Sequence, residues 1–179
     1  MRAMHILVIH NPFANRWRSA RRAGALHDAL DAAGLRYSMR TTTRAGDAME
    51  IARAAATPAT AGGAPRFDAV IAAGGDGTVH EVLNGLLAAS GGAPTMPFGV
   101  LPSGTGNDFA AMNGVPCDLF QAARRIAARR ERMIDAARIA FSPAAAAGAP
   151  AAGVCVRYFG NNAGAGMEPL VTIEAAKIR

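Results

Sequence analysis

Short apolar runs alternate along the chain with segments in which apolar residues recur at helical spacing. The runs predict buried strands at 4–10, 35–42, 69–73 and 98–101. The helical spacing predicts helices at 23–33, 46–56 and 78–87, one from Asn107 to Met112, and one that begins at Asp118 with Gln121 in capping-box spacing. Strands that alternate with helices in this way predict an α/β fold: a parallel sheet with helices on both faces.

The last quarter of the chain has a different pattern. Residues 142–153 are of low complexity, rich in Ala, Gly and Pro, which indicates a flexible loop. Residues 154–161 predict one more strand. We therefore predict an α/β domain over 1–141, a loop over 142–153, and the beginning of an incomplete β-rich domain over 154–179.

Composition adds a preference for acidic partners. The 179 residues are 51% hydrophobic and carry a formal net charge of +6, with Lys177 the only lysine. Such a charge favours phosphates, anionic lipid headgroups or nucleic acid, but the 6% aromatic content and the lack of a nucleic-acid-binding module argue against the last. Cys117 and Cys155 form no disulfide framework or zinc spacing. Without a signal pattern or an apolar run of about 18 residues, we expect a cytoplasmic protein that meets a membrane only peripherally.

The most informative segment lies where the third predicted strand gives way to a helix. Gly74, Gly75 and Gly77 fall within four positions there, so the backbone can turn tightly and approach a ligand. A helix N-terminus at the carboxyl edge of a parallel sheet is a site for phosphate. Thr78 and Glu81 have capping-box spacing, and capping is the ordinary interpretation of both residues.

Asp76 is harder to explain by capping. A carboxylate among phosphate-binding glycines repels the ligand, unless a metal ion intervenes or a proton has to be accepted. Both needs arise in phosphoryl transfer. The ordinary alternative is an aspartate that stabilises a turn by bonding to its own backbone.

A second loop of similar composition follows the fourth predicted strand. Ser103 and Thr105 supply hydroxyl groups there, and Gly104 leaves the backbone open, while Asn107 or Asp108 could cap the next helix. Two such loops at successive strand ends predict a cleft for a polyphosphate. The Walker Gly-Lys-Ser/Thr pattern is absent, and the Gly-x-Gly-x-x-Gly pattern fails in both loops. Charge compensation is therefore expected from Mg²⁺, backbone amides and arginine.

These motifs resemble those of a known family. The matching residues are Gly74-Gly75-Asp76-Gly77-Thr78, Glu81, Asn84-Gly85 and Pro102-Ser103-Gly104-Thr105-Gly106-Asn107-Asp108-Phe109-Ala110, with Asn11-Pro12 after the first strand and Thr43 after the second. They are similar to the catalytic domain of bacterial diacylglycerol kinases and of the related sphingosine and ceramide kinases. The first motif is shared with NAD kinases, and the Gly-Thr-Gly-Asn-Asp-Phe-Ala motif narrows the choice.

The resemblance implies a nucleotide-binding α/β domain followed by a β-sandwich domain, with ATP between them. It implies nucleotide contacts from Asn11, Thr43, Gly74, Gly75, Gly77, Thr78, Glu81, Ser103, Gly104, Thr105 and Asn107. It also implies catalytic and Mg²⁺-binding roles for Asp76 and Asp108. The entry into the second domain is expected at 157–166, with Asn161, Asn162 and Gly166.

The expected activity is transfer of the ATP γ-phosphoryl group to a lipid hydroxyl, such as that of diacylglycerol or a sphingoid base, at a membrane surface. The resemblance implies that this chain holds only the beginning of the second domain, and Ala14-Asn15-Arg16 stands where the family usually has a glycine soon after Asn-Pro. An NAD-kinase-like enzyme with a soluble substrate and a catalytically incomplete nucleotide-binding fragment therefore stay open as alternatives. The sequence also leaves a homodimer open.

Three further features have ordinary interpretations. His80 is expected to be a solvated helix residue, because a histidine base needs an oriented partner. One arginine cluster comprises Arg16, Arg18, Arg21 and Arg22, and the other comprises Arg124, Arg125, Arg129, Arg130 and Arg132. A solvated helix face is favoured for the second cluster, and contact with nucleotide phosphate or an anionic membrane is the functional alternative for both.

Overall fold

The computed structural model describes residues 4–14, 23–58, 66–142 and 153–161. The strands are β1 (His5–His10), β2 (Arg36–Thr41), β3 (Ala69–Gly74), β4 (Phe98–Pro102), β5 (Ala137–Phe141) and β6 (Cys155–Phe159). The helices are α1 (Ala23–Ala32), α2 (Asp47–Ala56), α3 (Asp76–Ala89), α4 (Asp108–Met112) and α5 (Leu119–Ala127). All the strands and helices expected from the sequence are present, with ends that differ by a few residues.

Four strands form one parallel sheet in the order β2-β1-β3-β4. Strands β1 and β3 lie at its centre, where Ile6 pairs with Tyr37 on one side and with Ala69 on the other. Both central strands are almost entirely buried. Burial on both faces explains why they are continuous apolar runs without alternation.

Helices cover both faces of the sheet, as the alternation of strands and helices predicts. Consecutive residues of β1 belong to opposite cores, with Ile6 packed on the side of α1 and α5 and Leu7 on the side of α2, α3 and α4. Leu30 of α1 and Leu86 of α3 are both fully buried in these cores. Each such side chain contributes about 1.5–3 kcal/mol when it leaves water. The α/β fold class is confirmed.

A second, two-stranded antiparallel sheet pairs β5 with β6, so that Ala137 lies opposite Phe159. The sequence pattern predicts β6 but no strand at β5, whose residues are all exposed. The pairing joins residues on either side of the expected 142–153 loop, of which 143–152 lie outside the described residues. The proposed domain limits stay a prediction.

The start of α3 differs from the expected one. The helix begins at Asp76, with Gly75 as its N-cap residue and no side-chain cap. Thr78 is therefore inside the helix, and Thr78 with Glu81 does not form the capping box that their spacing suggested. The expected cap at Asp118 is present, because its side chain accepts a hydrogen bond from the backbone N–H of Gln121 over 2.9 Å.

In the part of the chain that the structure describes, no helix combines the length and the apolar character needed to cross a bilayer.

Candidate functional site

The strand order creates a cleft at the carboxyl edge of the sheet. The helix after β1 packs on one face of the sheet and the helix after the adjacent strand β3 packs on the other. Ligands of open α/β sheets bind at such a point. A cavity of about 510 Å³ occupies it. The cavity is lined by Asn11, Phe13, Ala14, Thr42, Thr43, Arg44, Ala45, Gly75, Gly77, Thr78, Glu81, Gly104 and Thr105.

The two glycine-containing loops lie side by side at this edge. The backbone N–H of Ser103 donates to the carbonyl of Gly74 over 2.9 Å. A Cβ atom added to Gly104 would lie 2.3 Å from the Cα of Gly75, a distance that no real side chain tolerates. The absence of a side chain at Gly104 therefore allows the loops to touch. A Cβ added to Gly77 would meet no heavy atom within 4 Å, so this glycine leaves space at the cavity instead.

Asn11 and Thr78 close the floor of the cavity. The backbone N–H of Asn11 donates to the carbonyl of Ala73 over 3.0 Å, and its side-chain amide donates to Thr78 Oγ1 over 2.9 Å. Thr78 is 3% exposed, and a Cβ on Gly74 would lie 2.3 Å from its hydroxyl oxygen. Gly74 does not line the cavity; its role is to admit the Thr78 side chain beneath the loop.

Glu81 lines the cavity but is engaged by the protein. Its Oε1 accepts from the backbone N–H of Gly46 over 2.9 Å, and its Oε2 accepts from that of Ala48 over 3.1 Å. These groups belong to the N-terminus of α2, whose positive dipole end stabilises a carboxylate. Glu81 thus caps a neighbouring helix and fixes the wall that carries Thr43 and Arg44.

Thr43 lies on that wall next to Asp47. The backbone N–H and the hydroxyl of Thr43 both donate to Asp47 Oδ2, each over 2.7 Å. These hydrogen bonds stabilise the ionised carboxylate and lower the pKa of Asp47 below its usual value, with a smaller contribution from Arg44. The loop after β2 is therefore held in a defined shape at the cavity.

Asp76 and Asp108 lie beside the cavity, next to the second glycine-containing loop, and do not line it. Asp76 Oδ1 accepts from the backbone N–H of Phe109 over 3.0 Å, so the first residue of α3 caps the N-terminus of α4. A Cβ added to Gly106 would lie 3.1 Å from Asp76 Oδ2 and 3.6 Å from Asp108 Oδ1, so both carboxylates face this point. Among the described residues, no group of three or more His, Cys, Asp or Glu side chains could hold a metal ion.

Asn107 and Ser103 support the second loop without lining the cavity. Asn107 Oδ1 accepts from the backbone N–H of Gly104 over 2.9 Å, and its Nδ2 donates to the Gly104 carbonyl over 3.0 Å. Asn107 is the N-cap residue of α4 and has φ 61°, but its side chain makes no hydrogen bond to the helix. It locks the loop instead of supplying the side-chain cap that the sequence suggests. Ser103 is 6% exposed and lies beneath the loop.

His80 and Asn84 lie on α3 beyond the cavity. Partial burial lowers the pKa of His80, as does the nearby Arg157, while Glu81 opposes the shift. Asn84 donates to the Tyr158 carbonyl and accepts from the Tyr158 N–H, each over 2.8 Å, so its amide pairs with β6 as a strand would. The Asn84 side chain therefore holds the second sheet against α3.

The structure describes one of the two arginine clusters. Arg16, Arg18, Arg21 and Arg22 lie outside the described residues, as do Asn15, Asn162 and Gly166. The second cluster is exposed and lies on or after α5, as a solvated face would. Arg44, Thr42 and Phe13 line the cavity and were not proposed from the sequence. For Arg44, the available signal was its position directly after Thr43.

Comparisons with known proteins agree with this geometry. The family model for the diacylglycerol kinase catalytic domain matches residues 5–139. The diacylglycerol kinase of Bacillus subtilis (strain 168) is 38% identical over 133 residues, which cover 74% of this chain and 41% of that protein. The diacylglycerol kinase of Staphylococcus saprophyticus is 34% identical over 116 residues, which cover 64% and 34%.

The solved structure of a diacylglycerol kinase from Bacillus anthracis str. Sterne is also similar. It matches with a TM-score of 0.58 and 27% sequence identity, over 80% of this chain and 45% of that one. The present chain thus spans less than half the length of these relatives. The matched family model covers well over half of this chain, and the chain belongs to the diacylglycerol kinase catalytic domain family.

Proposed function

We propose that the cavity binds the phosphate groups of ATP and that this chain supplies the nucleotide-binding part of a kinase that phosphorylates a lipid hydroxyl. The observation that carries the proposal is the cavity itself. Its volume of about 510 Å³ lies among four loops at the carboxyl edge of the sheet, and two of these are glycine-containing loops in direct contact.

The N-terminus of α3 is the main feature suited to phosphate. This helix has 14 residues and begins directly after Gly75, so its first N–H groups and the positive end of its dipole face the cavity. Gly77 leaves that approach open, and the loop at Gly104 and Thr105 borders the same space. Asn11 and Thr78 would close the site from below.

Mg²⁺ would be held beside the phosphates by Asp76 and Asp108. Mg²⁺ in nucleotide sites is bound by one or two carboxylates together with phosphate oxygens and water, and the two carboxylates that face Gly106 fit this requirement. Asp76 Oδ1 is held by Phe109, which leaves Oδ2 directed to the same point. The metal would neutralise charge that develops on the transferred phosphoryl group. Asp76 is equally placed as a candidate acceptor for the proton of the attacking hydroxyl.

The lipid substrate class is inferred from the relatives, which are named diacylglycerol kinases. Diacylglycerol presents one free hydroxyl group above two acyl chains, and a sphingoid base presents hydroxyl groups and an amine at the head of one long alkyl chain. The acceptor hydroxyl lies at a membrane surface, so the enzyme has to reach that surface peripherally. This assignment places the protein in lipid metabolism.

The test is a transfer assay with γ-labelled ATP and Mg²⁺, in which diacylglycerol, a sphingoid base in mixed micelles, or NAD is the acceptor. We expect label on a lipid, and a loss of about 100-fold or more in Asp76→Asn. Asp28→Asn removes the same charge from an exposed position on α1 and serves as the control.

Three results would contradict the proposal. Equal rates of phosphoryl transfer by wild type and Asp76→Asn would contradict the role proposed for Asp76. Label on NAD alone would make the protein a kinase of a soluble substrate. Calorimetric binding of ATP with no transfer to any acceptor would leave the nucleotide site standing and contradict the catalytic part of the proposal for this chain.

A further inference from the structure

The cavity proposed for the nucleotide has an arginine on its rim. Among the described residues that line it, Arg44 is the one with a positively charged side chain, and this side chain is 61% exposed. It follows Thr43 in the loop between β2 and α2. The opposite wall is formed by Gly75, Gly77 and Gly104, which contribute backbone only.

The present partners of Arg44 are carboxylates outside the glycine-containing loops. Its Nε lies 3.1 Å from Asp47 Oδ1, and its Nη2 lies 2.8 Å from Glu50 Oε2. Glu50 is as exposed as Arg44, with 61% of its side chain accessible. Exposed ion pairs are held weakly, because water solvates both charges and two long side chains have to be ordered. A multiply charged anion can therefore displace Glu50.

The carboxylates near the cavity are already engaged by donors of the protein itself. Glu81 is the carboxylate that lines the cavity, and both of its oxygens accept hydrogen bonds from the N-terminus of α2. Asp47 Oδ2 accepts from three donors of the loop, two from Thr43 and the backbone N–H of Arg44, while its Oδ1 pairs with Arg44 Nε. Neither glycine-containing loop contains a lysine. A bound polyphosphate would need a cation, and the planar guanidinium suits phosphate oxygens.

We infer that Arg44 exchanges Glu50 for the phosphate groups of the nucleotide and is a determinant of nucleotide affinity. The inference rests on the function proposed above and extends it by one residue. Asp47 keeps its hydrogen bonds with Thr43 during the exchange, so the loop retains its shape while the guanidinium turns toward the cavity.

The experiment is calorimetric titration of the chain with ATP and Mg²⁺, and with inorganic triphosphate, for wild type, Arg44→Gln, Arg53→Gln and Glu50→Gln. We expect Arg44→Gln to weaken both ligands about tenfold, which is what the loss of a charge-assisted hydrogen bond to phosphate produces. Arg53 is an exposed arginine of α2 that does not line the cavity, so Arg53→Gln should leave both affinities unchanged. Glu50→Gln should bind at least as tightly as wild type, since a competing carboxylate is gone.

Equal affinities for wild type and Arg44→Gln would overturn the inference and leave the proposed function standing. If Arg53→Gln loses as much affinity as Arg44→Gln, the change follows from net charge alone, and the inference about Arg44 is overturned. Weakening by Glu50→Gln to the level of Arg44→Gln would mean that the ion pair merely supports the loop. Wild-type chain that binds neither ligand would contradict the proposed function itself.

Discussion

Replacement of Gly104 with alanine is the sharpest structural perturbation of the site. The new Cβ would lie 2.3 Å from the Cα of Gly75 and 3.2 Å from its backbone nitrogen. It would also lie 2.9 Å from Asn107 Oδ1, the atom that accepts the N–H of Gly104. The closest obstacle is backbone, which cannot rotate away as a flexible side chain does, so the two loops have to separate.

The cost follows from these contacts. Overpacking of a well-packed site costs about 1–3 kcal/mol, and disruption of the two hydrogen bonds between Asn107 and Gly104 adds about 1 kcal/mol each. Partial relaxation reduces the total, and we expect a loss of about 3 kcal/mol in the free energy of unfolding. For a chain of this length, that loss lowers the melting temperature by roughly 6–12 °C.

The assay is thermal unfolding followed by circular dichroism, with Gly24→Ala as the matched control. Gly24 lies in α1, where an added Cβ meets no heavy atom within 4 Å, so the control should be unchanged or more stable by up to about 1 kcal/mol. A Gly104→Ala protein that melts at the wild-type temperature would refute the direct contact between the loops.

Three more changes test the surroundings of the site by unfolding experiments. Gly85→Ala would place a Cβ 2.3 Å from the Met49 carbonyl oxygen, so it should destabilise the packing of α2 on α3 by about 2 kcal/mol. Asn84→Ala removes the hydrogen bonds to Tyr158 and should cost about 2–3 kcal/mol. Partial burial lowers the pKa of His80, so the folded protein binds this proton less readily than the unfolded chain does. The free energy of unfolding therefore decreases as pH falls below about 6.5. His80→Gln should lessen this decrease, measured as the melting temperature on the acid side.

Each of these predictions has a contrary result. An unchanged or raised melting temperature in Gly85→Ala would mean that the two helices can separate at little cost. Full stability of Asn84→Ala would show that β6 does not depend on α3 in solution. Identical profiles of melting temperature against pH for wild type and His80→Gln would show that His80 does not contribute to the pH dependence of stability.

The strands of the main sheet could be predicted from the sequence, because burial on both faces leaves a continuous run of apolar residues. Strands β1 and β3 are buried on both faces and are therefore uninterrupted apolar runs. Strand β5 was missed for the opposite reason. Its residues are all exposed, and its partner β6 lies beyond the 142–153 segment, so no short-range pattern marks it.

The positions of the loops that form the site could be predicted from the sequence, but the hydrogen-bond partners of their side chains could not. The glycines predicted a backbone that can approach a ligand, and the successive strand ends predicted loops that lie side by side; the structure brings Gly75 and Gly104 into contact. The spacing of Glu81 suggested a cap on its own helix, whereas it caps α2 through Gly46 and Ala48, more than 30 residues earlier. Such contacts depend on how helices pack across the sheet, which local spacing does not encode.

The central claim is that the cavity at the carboxyl edge of the sheet is a polyphosphate site. The most direct measurement is the change of backbone amide NMR shifts when ATP and Mg²⁺ are added to the chain. The account predicts that the largest changes fall on 75–78 and 103–105, with smaller ones near Arg44. Changes confined to the exposed arginines of α5, or no change at saturating ATP, would contradict it.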